Sequence, residues 1–206
     1  MSTVPFRFIL ASGSPRRRAL LEALGLHVDV VPSNAPEVDD GHDPTTLVLA
    51  NARVKRDAVA PHIEGPGVII AADTLVFLQG QVLSKPKDPA EAFSMLRRLS
   101  GNTHQVVTGI ALLHLASGTR VEGFETTAVT FRTLSDNEIL RFIEVVQPFD
   151  RAGGYTVDGP GSLLVARYEG CYLNVLGLPI ARLDTLLREV GVNLFDHIDR
   201  QRARFL

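Results

Sequence analysis

Apolar and polar positions along this chain run in blocks whose period switches between two and about 3.6, so strands and helices alternate. Phe6 to Leu10 reads as a short first strand. A strongly marked helix follows: Ser14 suits the cap, Pro15 the first helical position, and Leu20, Leu21 and Leu24 recur at helical spacing before Gly25. His27 to Pro32 reads as a second strand. An acidic, proline-containing loop from Asn34 to Pro44 then leads into a helix from about Thr45 to Ala60. Val68 to Ala72 has the look of a buried strand that ends at Asp73, and Leu75 to Leu78 with Val82 to Ser84 flanks a Gln79-Gly80 turn.

Asp88 and Pro89 open another helix, which runs to about Leu99 before Gly101. Gln105 to Leu115 and Arg120 to Arg132 predict two strands joined through Ser117-Gly118. Ser135 with Glu138 three residues on is a capping box for a helix to about Val145. The glycine-rich run AGGYTVDGPGS precedes a strand from Leu163 to Arg167, and a last helix spans Pro179 to Val190. Strands alternating with helices, plus two hairpins, predict an α/β fold with a mixed sheet flanked by helices.

Composition narrows the classes. The chain has 206 residues, 45% hydrophobic and 21% charged, enough for one large domain or two fused lobes, and no linker or repeat divides residues 1–206. Net charge is -2, so there is no global basic field for nucleic acid or an anionic membrane, and any anion site must be local. The single cysteine, Cys171, has no intrachain partner and fits a reducing compartment. The apolar start MSTVPFRFIL is too short for a signal segment, and no stretch approaches the ~20 apolar residues of a membrane span. A cytoplasmic chain is expected.

Two local patterns carry chemistry. The first is Ser12 to Arg18. A helix start presents unpaired N–H groups and partial positive charge, and Ser12, Gly13 and Ser14 let an anion approach them. Arg16, Arg17 and Arg18 in the first turn oppose the helix dipole, by about 0.3–1 kcal/mol each at exposed sites, and a bound polyphosphate would reverse that penalty. A solvated basic helix end, or arginines paired with carboxylates elsewhere, would leave the same pattern. Arg18 is the weakest member, because the helical turn carries it away from its neighbours.

The second pattern is Asp73 with Lys85. VIIAAD would deliver Asp73 and Thr74 at a strand end, and a two-residue Gln79-Gly80 turn would set Leu78 opposite Gln81 and Thr74 opposite Lys85. A structural ion pair and a catalytic pair are both consistent with that spacing. In the catalytic reading, Asp73 binds Mg²⁺ or orients water while Lys85 neutralises phosphate charge.

Taken in order, LASGSPRRRALLEALG, AADTLVFLQGQVLSKPKDPAEAFSMLRRLSG, HQVVTGIAL, FDRAGGYTVDG and YLNVLGLPIARLDTLL resemble the Maf family of nucleoside triphosphate pyrophosphatases over nearly the whole chain. The resemblance implies a metal-dependent hydrolase that releases pyrophosphate. It also implies an elongated mixed sheet with two lobes around a cleft, akin to inosine triphosphate pyrophosphatases. It assigns the general base or metal-holding aspartate to Asp73 and phosphate binding to Ser12, Ser14, Arg16, Arg17, Lys55 and Lys85. Glu37 becomes a metal partner of Asp73, with Asp39 and Asp40 as alternatives, for Mg²⁺ or Mn²⁺. Family members are often dimers, so a homodimer is compatible. Lys55 would otherwise read as a solvated helix lysine, and His104 reads as structural.

For the base, the dTTP and UTP branch is similar at Arg16, after SP, and at Thr74, after the aspartate. Its late-loop glutamine, however, is replaced here by Asp158. The 7-methyl-GTP branch has a bulky aromatic after SP and an acid in that loop. Pyrimidine triphosphates lead, and 7-methyl-GTP or a broader range is the alternative, since an aspartate only accepts hydrogen bonds whereas a glutamine also donates. A P-loop phosphotransferase lacks its GxxxxGK[ST] here. A non-catalytic regulator of cell division would need a partner surface, for which the tail Asp196 to Leu206 is the candidate, unless it is a terminal helix packed on its own domain or on a dimer mate.

Overall fold

The computed structural model describes residues 6–38, 41 and 43–204, and these form a seven-stranded mixed sheet in the order β2-β1-β3-β5-β6-β7, with β4 paired to β3. In chain order the elements are β1 (Arg7–Leu10), α1 (Pro15–Ala23), β2 (Val28–Val30), α2 (Pro44–Val59), β3 (Gly67–Leu78), β4 (Gln81–Leu83) and α3 (Pro89–Leu99). They continue as β5 (Thr103–His114), β6 (Arg120–Phe131), α4 (Asp136–Val146), β7 (Val165–Glu169), α5 (Tyr172–Val175) and α6 (Ile180–Glu189). The first three strands of that order are parallel, and β3, β5, β6 and β7 are antiparallel.

Local chemistry explains the helix starts. The side chains of Ser14, Asp43, Asp88 and Ser135 each accept a backbone N–H of the first turn, a proline follows the first three, and the Ser135–Glu138 capping box forms as expected. One expectation fails in an instructive way. The strand that was to stop at Asp73 runs unbroken from Gly67 to Leu78, so Asp73 lies mid-strand. A long antiparallel partner is the cause, since β5 pairs with β3 from Val68 opposite His114 to Phe77 opposite Gln105. The hairpin begins in the expected register, Leu78 opposite Gln81, but ends at Val76 opposite Leu83. Lys85 therefore never pairs with Thr74: Pro86 follows it and disfavours a continued ladder, and the Ser84 carbonyl accepts from Gly153 N–H instead. Residues 159–164, partly expected as strand, form a 3₁₀ turn.

Apolar residues collect in two main clusters. One gathers Phe8, Leu10, Leu21, Ile70, Leu112, Leu183 and Leu187 beneath α1 and α6. The other gathers Val76, Leu96, Leu99, Val106, Phe131, Ile139 and Phe142 beneath α3 and α4. α2 covers the opposite face through Val48 and Val59. The tail packs on its own chain, but as turns instead of a helix: Asp199 N–H donates to Gly25 and Arg204 N–H to Ala23, while residues 205–206 lie outside the described set. No helix among the described residues is long and apolar enough to cross a membrane.

His104 is structural. It is 2% exposed, meets Phe131 and Tyr155 edge-on, and its Nε2 lies 2.6 Å from the Tyr155 hydroxyl. Burial lowers its pKa from 6.5 to about 4. The unfolded chain then binds a proton that the folded chain refuses, so this contribution to stability is full above about pH 6.5 and is lost as pH falls towards 4. Between about pH 7 and pH 4, His104→Asn is expected to remove roughly 2–3 kcal/mol of the wild-type fall in unfolding free energy. Urea titrations at both pH values would show this, and an unchanged acid slope would contradict it.

Candidate active site

A gap in the sheet creates the site. On one edge of β3, β1 pairs with Gly67 to Ile70 and β4 with Val76 to Leu78, which leaves the stretch between them without a strand partner among the described residues. A cleft of about 360 Å³ opens there, lined on its apolar side by Val76, Val106 and Val175 of the second cluster and by Ala11. Strand alternation sends Asp73 to the α2 face of the sheet and Thr74 to the α1 face, so each can be held by a different helix.

On the α1 side, Arg17 is buried and organises the wall. Its Nε donates to the Gly177 carbonyl (2.8 Å), Nη1 to Ser12 Oγ (3.0 Å) and Nη2 to Thr74 Oγ1 (3.0 Å). Burial lowers its pKa most, opposed by the charges of Asp73 and Glu37. Ser14 Oγ caps the helix by accepting Arg17 N–H, and Ser12 Oγ accepts Ser14 N–H. Thr74 Oγ1 also lies 2.9 Å from Thr108 Oγ1, whose hydroxyl donates to the Asn174 carbonyl. Arg18 pairs with Glu22 and does not line the cleft.

On the α2 side, Asn51 and Lys55 are one helical turn apart and share a face. Asn51 Nδ2 donates to Asp73 Oδ2 (2.9 Å), and Lys55 Nζ donates to Asp73 Oδ1 (2.7 Å). Lys55 is thus buried, against the ordinary habit of a helix lysine. Its ammonium also lies 2.6 Å from Glu37 Oε1, and Lys85 Nζ lies 3.6 Å from Glu37 Oε2. Partial burial works to raise the Glu37 pKa, but the hydrogen bond and charge of Lys55, with Lys85 and Arg17 behind, hold it below the ordinary value. Lys85 therefore joins the site through Glu37. Asn51 completes the frame by exchanging hydrogen bonds with the Val38 backbone, which fixes the loop that carries Glu37.

Two carboxylates bridged by one ammonium are hard oxygen donors at a shared point. Among the described residues no group of three or more His, Cys, Asp or Glu forms a metal cage. Mg²⁺ is ordinarily held by one or two carboxylates plus substrate phosphates, so Glu37 and Asp73 fit Mg²⁺ or Mn²⁺ in that mode. Asp39 and Asp40 lie outside the described residues.

The cleft continues past Arg16 to residues that the motifs did not single out. Arg16 Nη1 lies 3.7 Å from Asp150 Oδ2, and Arg151 Nε lies 3.4 Å from Asp150 Oδ1. Burial lowers the Arg16 pKa, and Arg151 adds to this. Tyr155 and Thr156 line the same end. Asp158, expected at the base, stands outside the lining and accepts a short hydrogen bond from Thr156 Oγ1. The cleft thus brings together Ser12, Ser14, Arg16, Arg17, Glu37, Lys55, Asp73, Thr74 and Lys85. Asn51 was missed although its spacing from Lys55 marks one helix face. Asp150 and Arg151 lay within the FDRAGGYTVDG motif but were given no role there.

The chain is similar to several known proteins. A 45% identical protein of Carboxydothermus hydrogenoformans, named dTTP/UTP pyrophosphatase, aligns over 185 residues, 90% of this chain and 99% of that protein. One from Caldanaerobacter subterraneus subsp. tengcongensis, with the same name, is 41% identical over 202 residues, 96% of this chain and 98% of that protein. Among solved structures, a HAM1 protein from Coxiella burnetii overlays with a TM-score of 0.43 at 16% identity, covering 62% of this chain and 73% of that one. The family model described as Maf-like protein matches residues 7–190. With relatives this similar over nine-tenths of its length, the chain belongs to the Maf family.

Proposed function

We propose that this chain hydrolyses nucleoside triphosphates, dTTP and UTP foremost, to the monophosphate and pyrophosphate as a cytoplasmic enzyme, with residues 1–206 acting as one unit. The observation that carries this reading is the Asp73 carboxylate, held at both oxygens by Asn51 and Lys55 beside a wall of cationic side chains. The names of the relatives support the substrate class.

Lys85 and the Ser12–Ser14 segment receive the triphosphate, and Arg17 keeps that segment against Thr74. Asp73 orients a water and takes its proton as the water oxygen bonds to the α-phosphorus. The bond from that phosphorus to the α,β-bridging oxygen breaks, and pyrophosphate departs with that oxygen. Lys55 and Lys85 stabilise the charge that gathers on the leaving group. Mg²⁺ or Mn²⁺ at Glu37 and Asp73 would supply further neutralisation of phosphate charge. The relatives' names favour dTTP and UTP over 7-methyl-GTP as substrates.

Product identity tests the cleavage site. Incubation with UTP and Mg²⁺ is expected to yield UMP and pyrophosphate in equal amounts, read by chromatography and a pyrophosphate-coupled assay. Orthophosphate with UDP would sink the reading.

A further inference from the structure

The charges in the cleft divide into two groups. Glu37, Lys55, Asp73, Lys85 and Arg17 interact at one end. At the other, Arg16 and Arg151 flank Asp150, at 3.7 and 3.4 Å. Both distances are long for a charge-assisted hydrogen bond, which is ordinarily about 2.7–2.9 Å. Arg151 is also under-bonded, since its Nε and Nη1 are covered yet make no hydrogen bond among the described residues. Asp150 has 64% of its side chain exposed and so keeps lone pairs free for a ligand.

The order of these groups is donor, acceptor, donor. The imide edge of uracil or thymine presents the complement: a carbonyl, the N3–H and a second carbonyl. Cytosine would set its amino group against an arginine and its bare N3 against the carboxylate, and guanine would set its amino group against an arginine. Each mismatch leaves a donor facing a donor or an acceptor facing an acceptor. Two cations close to one anion also suit a neutral ring with two carbonyl oxygens better than a second anionic group that must compete with Asp150.

We propose that Arg16, Asp150 and Arg151 form the base-reading edge of this cleft, with Asp150 accepting the pyrimidine N3–H and the two arginines donating to its flanking carbonyls. The inference rests on the proposed nucleotide reading and deepens it. It moves the acceptor role from Asp158, which is engaged by Thr156, to Asp150.

The test compares UTP with N3-methyl-UTP, which lacks that proton, by calorimetric binding in chelator so that turnover plays no part. Wild type is expected to bind N3-methyl-UTP about 10- to 100-fold more weakly, the effect of losing a hydrogen bond to a charged group. Asp150→Ala should weaken UTP binding and bring the two ligands to within about 2-fold of each other. Arg151→Ala should narrow the preference for UTP over CTP. Equal losses for both ligands in Asp150→Ala would mean a merely structural role and overturn the proposal, as would wild-type indifference to N3-methylation. Imide discrimination without pyrophosphate release would leave this edge standing and remove the hydrolytic reading. Pyrophosphate release without discrimination would do the reverse, and no UTP binding at all would remove both.

Discussion

Replacing Asp73 with Asn is expected to lower kcat for UTP by about 10³-fold or more, the scale of losing a positioned general base. The substitution keeps the shape of the side chain and removes its charge. The amide oxygen can still accept from Asn51 or from Lys55 but not from both, and Lys55 keeps Glu37 as a partner, so the frame around residue 73 loses one hydrogen bond and stays in place. Nucleotide affinity in chelator should stay level or tighten, because one negative charge near the triphosphate disappears. This split between binding and turnover separates a chemical role for Asp73 from a structural one. Single-turnover rates and calorimetry would measure the two halves, and a kcat within tenfold of wild type would take Asp73 out of the reaction.

Gly109→Ala is expected to produce the second largest effect without touching a charged group. Gly109 lies directly opposite Asp73 in the β3–β5 ladder, and a Cβ there would sit 2.7 Å from the Val48 carbonyl carbon and oxygen and 2.9 Å from Leu49 N. Those are backbone atoms of α2, so the helix itself must move, and with it Asn51 and Lys55. Overpacking of this kind costs about 1–3 kcal/mol of stability. Misplacement of the site by about 1 Å costs about 100-fold in kcat. Gly80→Ala is the control. Its Cβ meets nothing within 4 Å, and only its positive φ of 82° opposes the change, so it should lose about 1 kcal/mol and no activity. Equal kcat values for the two variants would show that α2 tolerates the displacement.

Much of the site was legible because its chemistry depends on local order. Ser14, Pro15 and the arginines behind them announce a helix start, and a helix start attracts anions whatever surrounds it. ADT, SPRR and KP kept their spacing, so Asp73, Arg16, Arg17 and Lys85 could be named in advance. Asp158 could be named but not located, because its side chain answers to Thr156 in a turn that no periodicity describes. Lys55 and Glu37 were placed by family resemblance alone, since a charged helix residue and a loop acid have no local signature of burial.

What the sequence determined by itself was the alternation of strands and helices, the capped helix starts and the residue types that a triphosphate requires. All of these are set by interactions within a few residues. Only the tertiary structure decided that β3 continues through Asp73, that the gap between β1 and β4 is the mouth of the cleft, and that Asn51, Lys55 and Glu37 converge on one carboxylate. The same holds for the pairing of Asp150 with Arg16, which are far apart in the sequence. The reason is physical: the energy of a buried charge or a strand edge depends on partners distant in sequence, and those partners are chosen by packing.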